Sequence, residues 1–220
     1  SIVDGCKLSY GEMKRFRHQD MGHLESVLAK VPADKGILIV VDGVYSMEGD
    51  IANLPGIVPL ARKYGARIMV DDAHAVGVIG RDGRGTTSYW VEKGRIREED
   101  IDIITGTFSK SWASLGGFCA CSNEVMHFMR HVSRSLIFSA SMTPGTVAAV
   151  SRSIDIMLEE PERIDNLWKI TRMMQDGFRK MGFSIGVSET PIVPIFIGEM
   201  EDTFRMWRAL TDNGLFVNPV

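Results

Sequence analysis

The segment RIMVDDAH, Arg67 to His74, passes from an apolar run directly into acidic and polar side chains. The run predicts a short buried strand over residues 67–71. An ionised carboxylate at the end of a buried strand is costly unless it is paired, so Asp71 is a candidate functional group, with a helix N-cap as the alternative. His74 can face the same pocket, although a lone histidine at such a position is more often structural.

Strand and helix signals alternate on both sides of this segment. A helix is predicted from Leu54 to Tyr64, with Pro55 in its first turn and Gly65 after its end. The other predicted elements of this part are strands over 37–41, 101–105 and 116–121 and a helix over 123–132, with Asn123 near its N-cap. Buried strands separated by helices predict an α/β fold with a mostly parallel or mixed sheet covered on both faces.

The last third of the chain is predicted to be mainly helical. Helices are expected over 143–159, 162–181 and 201–212, and a strand over 192–197. Pro161 interrupts the helical pattern, which predicts a domain boundary near Glu160. We therefore expect a large domain over 1–160 and the start of a small C-terminal α+β domain over 161–220.

Composition excludes several classes of protein. The 25 Lys and Arg against 28 Asp and Glu give a net charge of −3, which offers no electrostatic footprint for nucleic acid or an anionic membrane. No apolar run reaches the roughly 20 residues of a membrane span, and no signal-peptide pattern is present. Cys119 and Cys121 lie in an apolar run, which favours buried thiols over metal ligands. We expect a cytoplasmic protein without a metal site.

Both ends of the chain are expected to be incomplete. The sequence begins without Met and ends on the apolar stretch Leu215 to Val220. A natural domain seldom ends on an exposed apolar segment.

Three polar clusters follow predicted strands. They are YSMEGD at 45–50, DDAH at 71–74 and TFSKS at 107–111. Ligands of open α/β sheets bind beyond the carboxyl ends of the strands, so side chains of these clusters are expected to converge on one ligand.

The order and spacing of these clusters resemble the α-oxoamine synthases, a family of fold-type I enzymes that depend on pyridoxal 5'-phosphate (PLP). The resemblance covers essentially the whole chain. The motifs that carry it are DG at 4–5, RFRHQD at 15–20, HLE at 23–25, GVYSMEGD at 43–50, VDDAH at 70–74, Gly77, Gly80, GRG at 83–85, GTFSKS at 106–111 and GG at 116–117.

The resemblance implies a role for each candidate residue. Lys110 would bind the PLP aldehyde covalently and then act as a base, and Asp71 would keep the ring nitrogen protonated. His74 and Ser46 would contact the phenolic oxygen of the ring. Thr107 and Ser109 would donate hydrogen bonds to the phosphate. Ser139 would contact the phosphate bound by a neighbouring subunit, so a homodimer with a shared active site is expected.

The chain also departs from the family pattern. Asp72 stands where Glu is usual, and Trp112 to Leu115 replaces a stretch of small residues. The glycine–aromatic phosphate loop and the histidine that stacks on the PLP ring would lie before Ser1, and a segment that binds the substrate carboxylate after Val220.

Members of the family join an amino acid to an acyl-CoA thioester with loss of CO2. The segments 116–119, 130–141 and 216–220 are most similar to bacterial members that use serine and palmitoyl-CoA to begin sphingolipid synthesis. Glycine C-acetyltransferase and 8-amino-7-oxononanoate synthase remain the alternatives, with a PLP aminotransferase as a less well matched enzyme class. A non-catalytic synthase subunit would be expected to lack the lysine, so the presence of Lys110 with Asp71 and His74 disfavours it.

Overall fold

A four-stranded mixed sheet forms the centre of the protein in a computed structural model that describes residues 2–220. Its strands lie in the order β1 (Leu38–Asp42), β2 (Arg67–Asp71), β3 (Ile103–Thr107) and β4 (Gly117–Cys121). The first three are parallel, and β4 is antiparallel to β3. The predicted α/β fold with a mostly parallel sheet is confirmed, although β3 begins two residues later than expected.

The helices cover and extend this sheet. In chain order they are α1 (Ile2–Leu8), α2 (Met21–Leu28), α3 (Leu54–Tyr64), α4 (Thr86–Glu92), α5 (Asn123–Val132), α6 (Arg134–Ile137), α7 (Pro144–Glu159), α8 (Glu162–Lys180) and α9 (Met200–Asp212). None of the helices within residues 2–220 is both long and apolar enough to cross a bilayer.

The packing of α3 against β1 and β2 supplies the main core. Ile57, Ile68 and Val70 are almost fully buried there, and burial of such a side chain contributes about 1.5–3 kcal/mol. The helix begins at the N-cap Asn53, whose side chain accepts a hydrogen bond from the amide of Gly56. It ends at Gly65, whose left-handed φ of 65° suits glycine. The strands that carry the candidate site therefore rest on a rigid support.

The predicted strand over 192–197 is wrong. These residues pair with no strand among those described. Their hydrogen bonds stay within the same part of the chain, with the Phe196 amide donating to the Ser184 carbonyl at 2.9 Å and the Ile192 amide to Thr190 Oγ1 at 3.3 Å. An apolar run has the composition of a strand, but a strand also needs a partner ladder, which the segment lacks here.

Two helix boundaries refine the predictions. The N-cap of α5 is Ser122, whose Oγ accepts from the amide of Val125, and Asn123 is the first helical residue. The helices α7 and α8 are separated at Glu160 and Pro161, so the chain is interrupted where the boundary was expected. The division into two domains stays a prediction.

Candidate active site

The ends of the parallel strands bring two carboxylates together. Asp42 is in register with Asp71, and Asp71 with Thr105. In-register neighbours point to the same face of a sheet, so Asp42 and Asp71 share one face at its carboxyl edge. One oxygen of Asp71 accepts a hydrogen bond from the Ala73 amide at 3.0 Å. No donor within residues 2–220 contacts the other oxygen, which is available to a cationic or N–H partner.

The loop after β3 carries Lys110 to the segment that follows Asp71. Ser111 Oγ donates to the carbonyl of Val76 at 2.8 Å. The approach is close enough that a Cβ built on Gly77 would lie 2.6 Å from the Cβ of Ser111, and Gly77 has a φ of 78°. Glycine is therefore required at position 77 for the two loops to meet.

The amine of Lys110 interacts electrostatically with the carboxylates of Asp71 and Asp42. Burial lowers the pKa of Lys110, and the negative charges of Asp71 and Asp42 oppose this effect. Burial likewise raises the pKa of Asp42, as does the charge of Asp71, while Lys110 lowers it. The amine is thus partly desolvated and interacts electrostatically with two carboxylates at the end of the sheet.

His74 belongs to the same group of charges. Its pKa is lowered first by burial and then by the charge of Lys110, with Asp71 acting in the opposite direction. The charges of Lys110 and Asp71 thus act on His74, so the three side chains lie near one another, and the roles predicted for them stay predictions. The structure adds Asp42, which the sequence reasoning missed, although its place at the end of β1 matches that of Asp71 at the end of β2.

The two hydroxyls predicted to bind phosphate are adjacent. Thr107 Oγ1 lies 2.8 Å from Ser109 Oγ, accepts the Ser109 amide at 3.2 Å and donates to the Gly116 carbonyl at 3.3 Å. Such a turn presents hydroxyl donors one to three residues before Lys110.

The remaining predicted serines lie at the surface. Ser46 is exposed on the loop after β1, and Ser139 is exposed after α6. Within residues 2–220, no hydrogen bond joins either serine to Lys110, Asp71 or His74. Their predicted contacts stay predictions.

Asp72 has a different environment from Asp71. It is fully buried, its Oδ2 accepts the Thr86 amide at 3.0 Å, and burial raises its pKa to about 6. Asp72 thus anchors the start of α4, while Asp71 faces the lysine.

The chemistry of this donor set fits PLP. The amine of Lys110 can react with an aldehyde, the open oxygen of Asp71 can accept a ring N–H, and Thr107 with Ser109 can donate to a phosphate.

The model of the aminotransferase class I and II family matches residues 1–220. The chain belongs to this family. Serine palmitoyltransferase of Sphingobacterium spiritivorum is 47% identical over 220 residues, which are 100% of this chain and 54% of that protein. 8-Amino-7-oxononanoate synthase 1 of Bacillus velezensis is 44% identical, again over 100% of this chain and 55% of the relative. The chain therefore spans about half the length of the curated relatives it matches.

A solved structure is similar over the same region. Serine palmitoyltransferase from S. paucimobilis, as a lysine-to-alanine variant with a bound PLP–myriocin aldimine, has a TM-score of 0.90 and 37% identity. The match covers 99% of this chain and 55% of that one. The predicted resemblance to the α-oxoamine synthases and to the PLP-dependent fold type I is confirmed.

Proposed function

We propose that this protein is a PLP-dependent acyltransferase that condenses L-serine with palmitoyl-CoA and releases CO2 and CoA. The product would be an aminoketone of the 3-ketosphinganine type, the first intermediate of sphingolipid synthesis. One observation carries the proposal. At the sheet edge the charge of Asp71 acts on the pKa of Lys110, and the charges of both residues act on the pKa of His74. The similarity to serine palmitoyltransferases supports the choice of substrates.

Lys110 and Asp71 would perform the central proton chemistry. Because burial lowers the pKa of Lys110, a larger fraction of its amine is neutral and able to attack an aldehyde or remove a proton. When bound, PLP supplies an electron-withdrawing ring that stabilises negative charge on the α-carbon of the amino acid. Asp71 would accept a hydrogen bond from the ring nitrogen, a charge-assisted contact of about 1.5–3 kcal/mol.

The other residues would orient the cofactor. His74 has a lowered pKa and is therefore neutral at neutral pH, so that it can hydrogen-bond the phenolic oxygen together with Ser46. Thr107 and Ser109 would bind the phosphate with their paired hydroxyls. Ser139 would complete the phosphate site of a second subunit, which makes the working enzyme a homodimer in the cytoplasm. We place the domain boundary near Glu160.

8-Amino-7-oxononanoate synthesis is the second candidate function. The 44% identity to the Bacillus velezensis enzyme supports it almost as closely as 47% supports the first. That reaction joins alanine to a pimeloyl thioester. The two candidates share the proposed roles of Lys110 and Asp71 and differ only in their substrates.

A spectral titration of the PLP-loaded full-length protein separates these candidates. Serine, glycine and alanine are added in turn, and product formation is then followed with acetyl-, pimeloyl- and palmitoyl-CoA. We expect a saturable spectral change with serine and turnover with the long acyl chain. Turnover with alanine and pimeloyl-CoA would establish the second candidate, and glycine with acetyl-CoA would overturn both.

A further inference from the structure

A second cluster of potential ligand atoms lies around the loop that follows β1. One ring nitrogen of His18 and one carboxylate oxygen each of Glu48 and Asp50 lie within 4.8 Å of one another. The three residues come from two segments that are 30 positions apart in the chain, so the fold, not a local motif, assembles them. Neither His18 nor either carboxylate has a role in the proposed function.

Asp50 is the buried member of this cluster. It is 7% exposed, its Oδ2 accepts from Gln19 Nε2 at 3.1 Å, and the same oxygen lies 2.8 Å from His18 Nε2. Its Oδ1 is buried and has no hydrogen-bond partner within residues 2–220. An unsatisfied buried carboxylate oxygen is costly, and a bound ion is one of the few arrangements that satisfy it.

Glu48 adds a second carboxylate at the open side of the cluster. Its side chain is exposed, and that of His18 is 40% exposed, which leaves a path for a small ion. Two carboxylates at this separation repel each other, and a cation between them removes the repulsion. The cluster thus offers a buried carboxylate with one unpaired oxygen, an exposed carboxylate and an imidazole.

The backbone of the loop is held in place independently of any ion. The carbonyl of Gly49 accepts hydrogen bonds from the Glu189 amide and from Thr190 Oγ1, both at 2.9 Å. Gly49 has a φ of 71°, and a Cβ built on it would lie 2.6 Å from the carbonyl oxygen of Ile192. The backbone positions from which the side chains of Glu48 and Asp50 extend are therefore fixed by packing of the loop.

We propose that His18, Glu48 and Asp50 bind a divalent first-row transition cation of the Zn²⁺ class. One imidazole and two carboxylates suit Zn²⁺, whereas Mg²⁺ prefers a site with oxygen ligands alone. Bonds of about 2.1 Å in a tetrahedral site put ligand atoms about 3.4 Å apart, which rotation of the exposed Glu48 side chain can reach. His18 Nε2 would exchange its contact with Asp50 for the cation, and the neutral imidazole would carry its proton on Nδ1.

The test measures Zn²⁺ affinity of the full-length protein, stripped of metal with a chelator, by competition with a chromophoric zinc indicator. The parent protein for this test is the H127A/H131A variant, because the exposed rings of His127 and His131 on α5 lie 4.4 Å apart and could bind zinc themselves. We expect one tight site in this parent that excess Mg²⁺ does not displace. Glu48→Gln should weaken it on the order of 10-fold or more, and His18→Ala should abolish it.

Glu92→Gln is the matched control, since Glu92 is also an exposed glutamate but lies on α4. It should bind zinc like the parent. Glu48→Gln changes an exposed side chain, so its folding, checked by circular dichroism, is expected to be normal. Parent-like zinc affinity in either Glu48→Gln or His18→Ala, or loss of the tight site in the H127A/H131A parent itself, would overturn the proposal.

Discussion

The sheet edge and the region after Pro161 differ in how their apolar and charged residues are held. Around β1, β2 and α3 the apolar side chains are buried in one cluster, and the charges at the strand ends face one another. In α8, α9 and the following segment many large apolar residues are exposed, among them Ile170 at 46%, Phe204 at 49% and Phe216 at 89%. The candidate site is thus built on the well-packed region, where rigid elements can fix its geometry.

The largest expected effect concerns the charge of Asp71. Asp71→Asn keeps the shape of the side chain but removes the negative charge that holds a ring proton. We expect loss of α-proton exchange with serine on the order of 100-fold or more, with PLP still bound. The measurement is deuterium incorporation by NMR on the PLP-loaded protein. Exchange at the wild-type rate would remove the role proposed for Asp71 and weaken the contrast between the two regions.

A pair of isoleucines compares the regions directly. Ile68 in β2 is 1% exposed and Ile170 in α8 is 46% exposed. Ile68→Ala should lower the free energy of unfolding by about 2–5 kcal/mol, and Ile170→Ala by about 1 kcal/mol or less. Urea denaturation of the full-length protein measures both. Equal losses would show that α8 is as well packed as the sheet.

The buried carboxylate of Asp72 should make stability depend on pH. Its folded pKa of about 6 lies above the ordinary value of 3.8 for an aspartate, so protonation stabilises the fold. Its contribution is favourable below about pH 4, falls as the pH rises through 4 to 6 and then levels off. Asp72→Asn should remove this slope and increase stability at pH 8 by up to about 3 kcal/mol.

Thermal melting between pH 4 and 8 compares this variant with wild type. Asp34→Asn serves as the control, because Asp34 is exposed and is not among the groups that shift the pKa of Asp72. If the Asp72→Asn variant is less stable than wild type at pH 8, the fold requires a charged carboxylate to accept the hydrogen bond from the Thr86 amide.

The smallest expected effect concerns Asp42. Its negative charge raises the pKa of Lys110, so Asp42→Asn should lower that pKa further. The pH dependence of Lys110 acetylation by acetic anhydride, followed by mass spectrometry, reports the change. Asp34→Asn, at an exposed position before β1, should leave the titration unchanged. An unchanged titration in Asp42→Asn would place Asp42 outside the site.

Much of the sheet edge could be predicted because its signals are local. The apolar run 67–71 and the capped helix 54–64 have the bounds that the sequence predicted. The positions of Lys110, Asp71 and His74 followed from motifs at strand ends, and the structure brings them together. Asp42 was missed because it lies between an apolar run and a glycine and no motif singles it out, so its role emerges only from pairing with Asp71.

The region after Pro161 was harder to predict for a physical reason. The residues 192–197 have the composition of a strand, but strand formation depends on a partner that composition does not reveal.

Helix α2, near the start of the chain, was also missed, although the side chain of its N-cap Asp20 accepts a hydrogen bond from the His23 amide and offered a local signal. Ser46 and Ser139 had been assigned through resemblance alone, and contacts within one chain do not test them.

The most direct test of the central claim is chemical mapping of the lysine. The full-length protein is loaded with PLP, reduced with borohydride and digested, and the modified peptide is identified by mass spectrometry. We predict a single cofactor-modified lysine at position 110 and no reduction-stable attachment in a folded Lys110→Ala variant. Modification at another lysine, or persistent attachment in Lys110→Ala, would contradict the account.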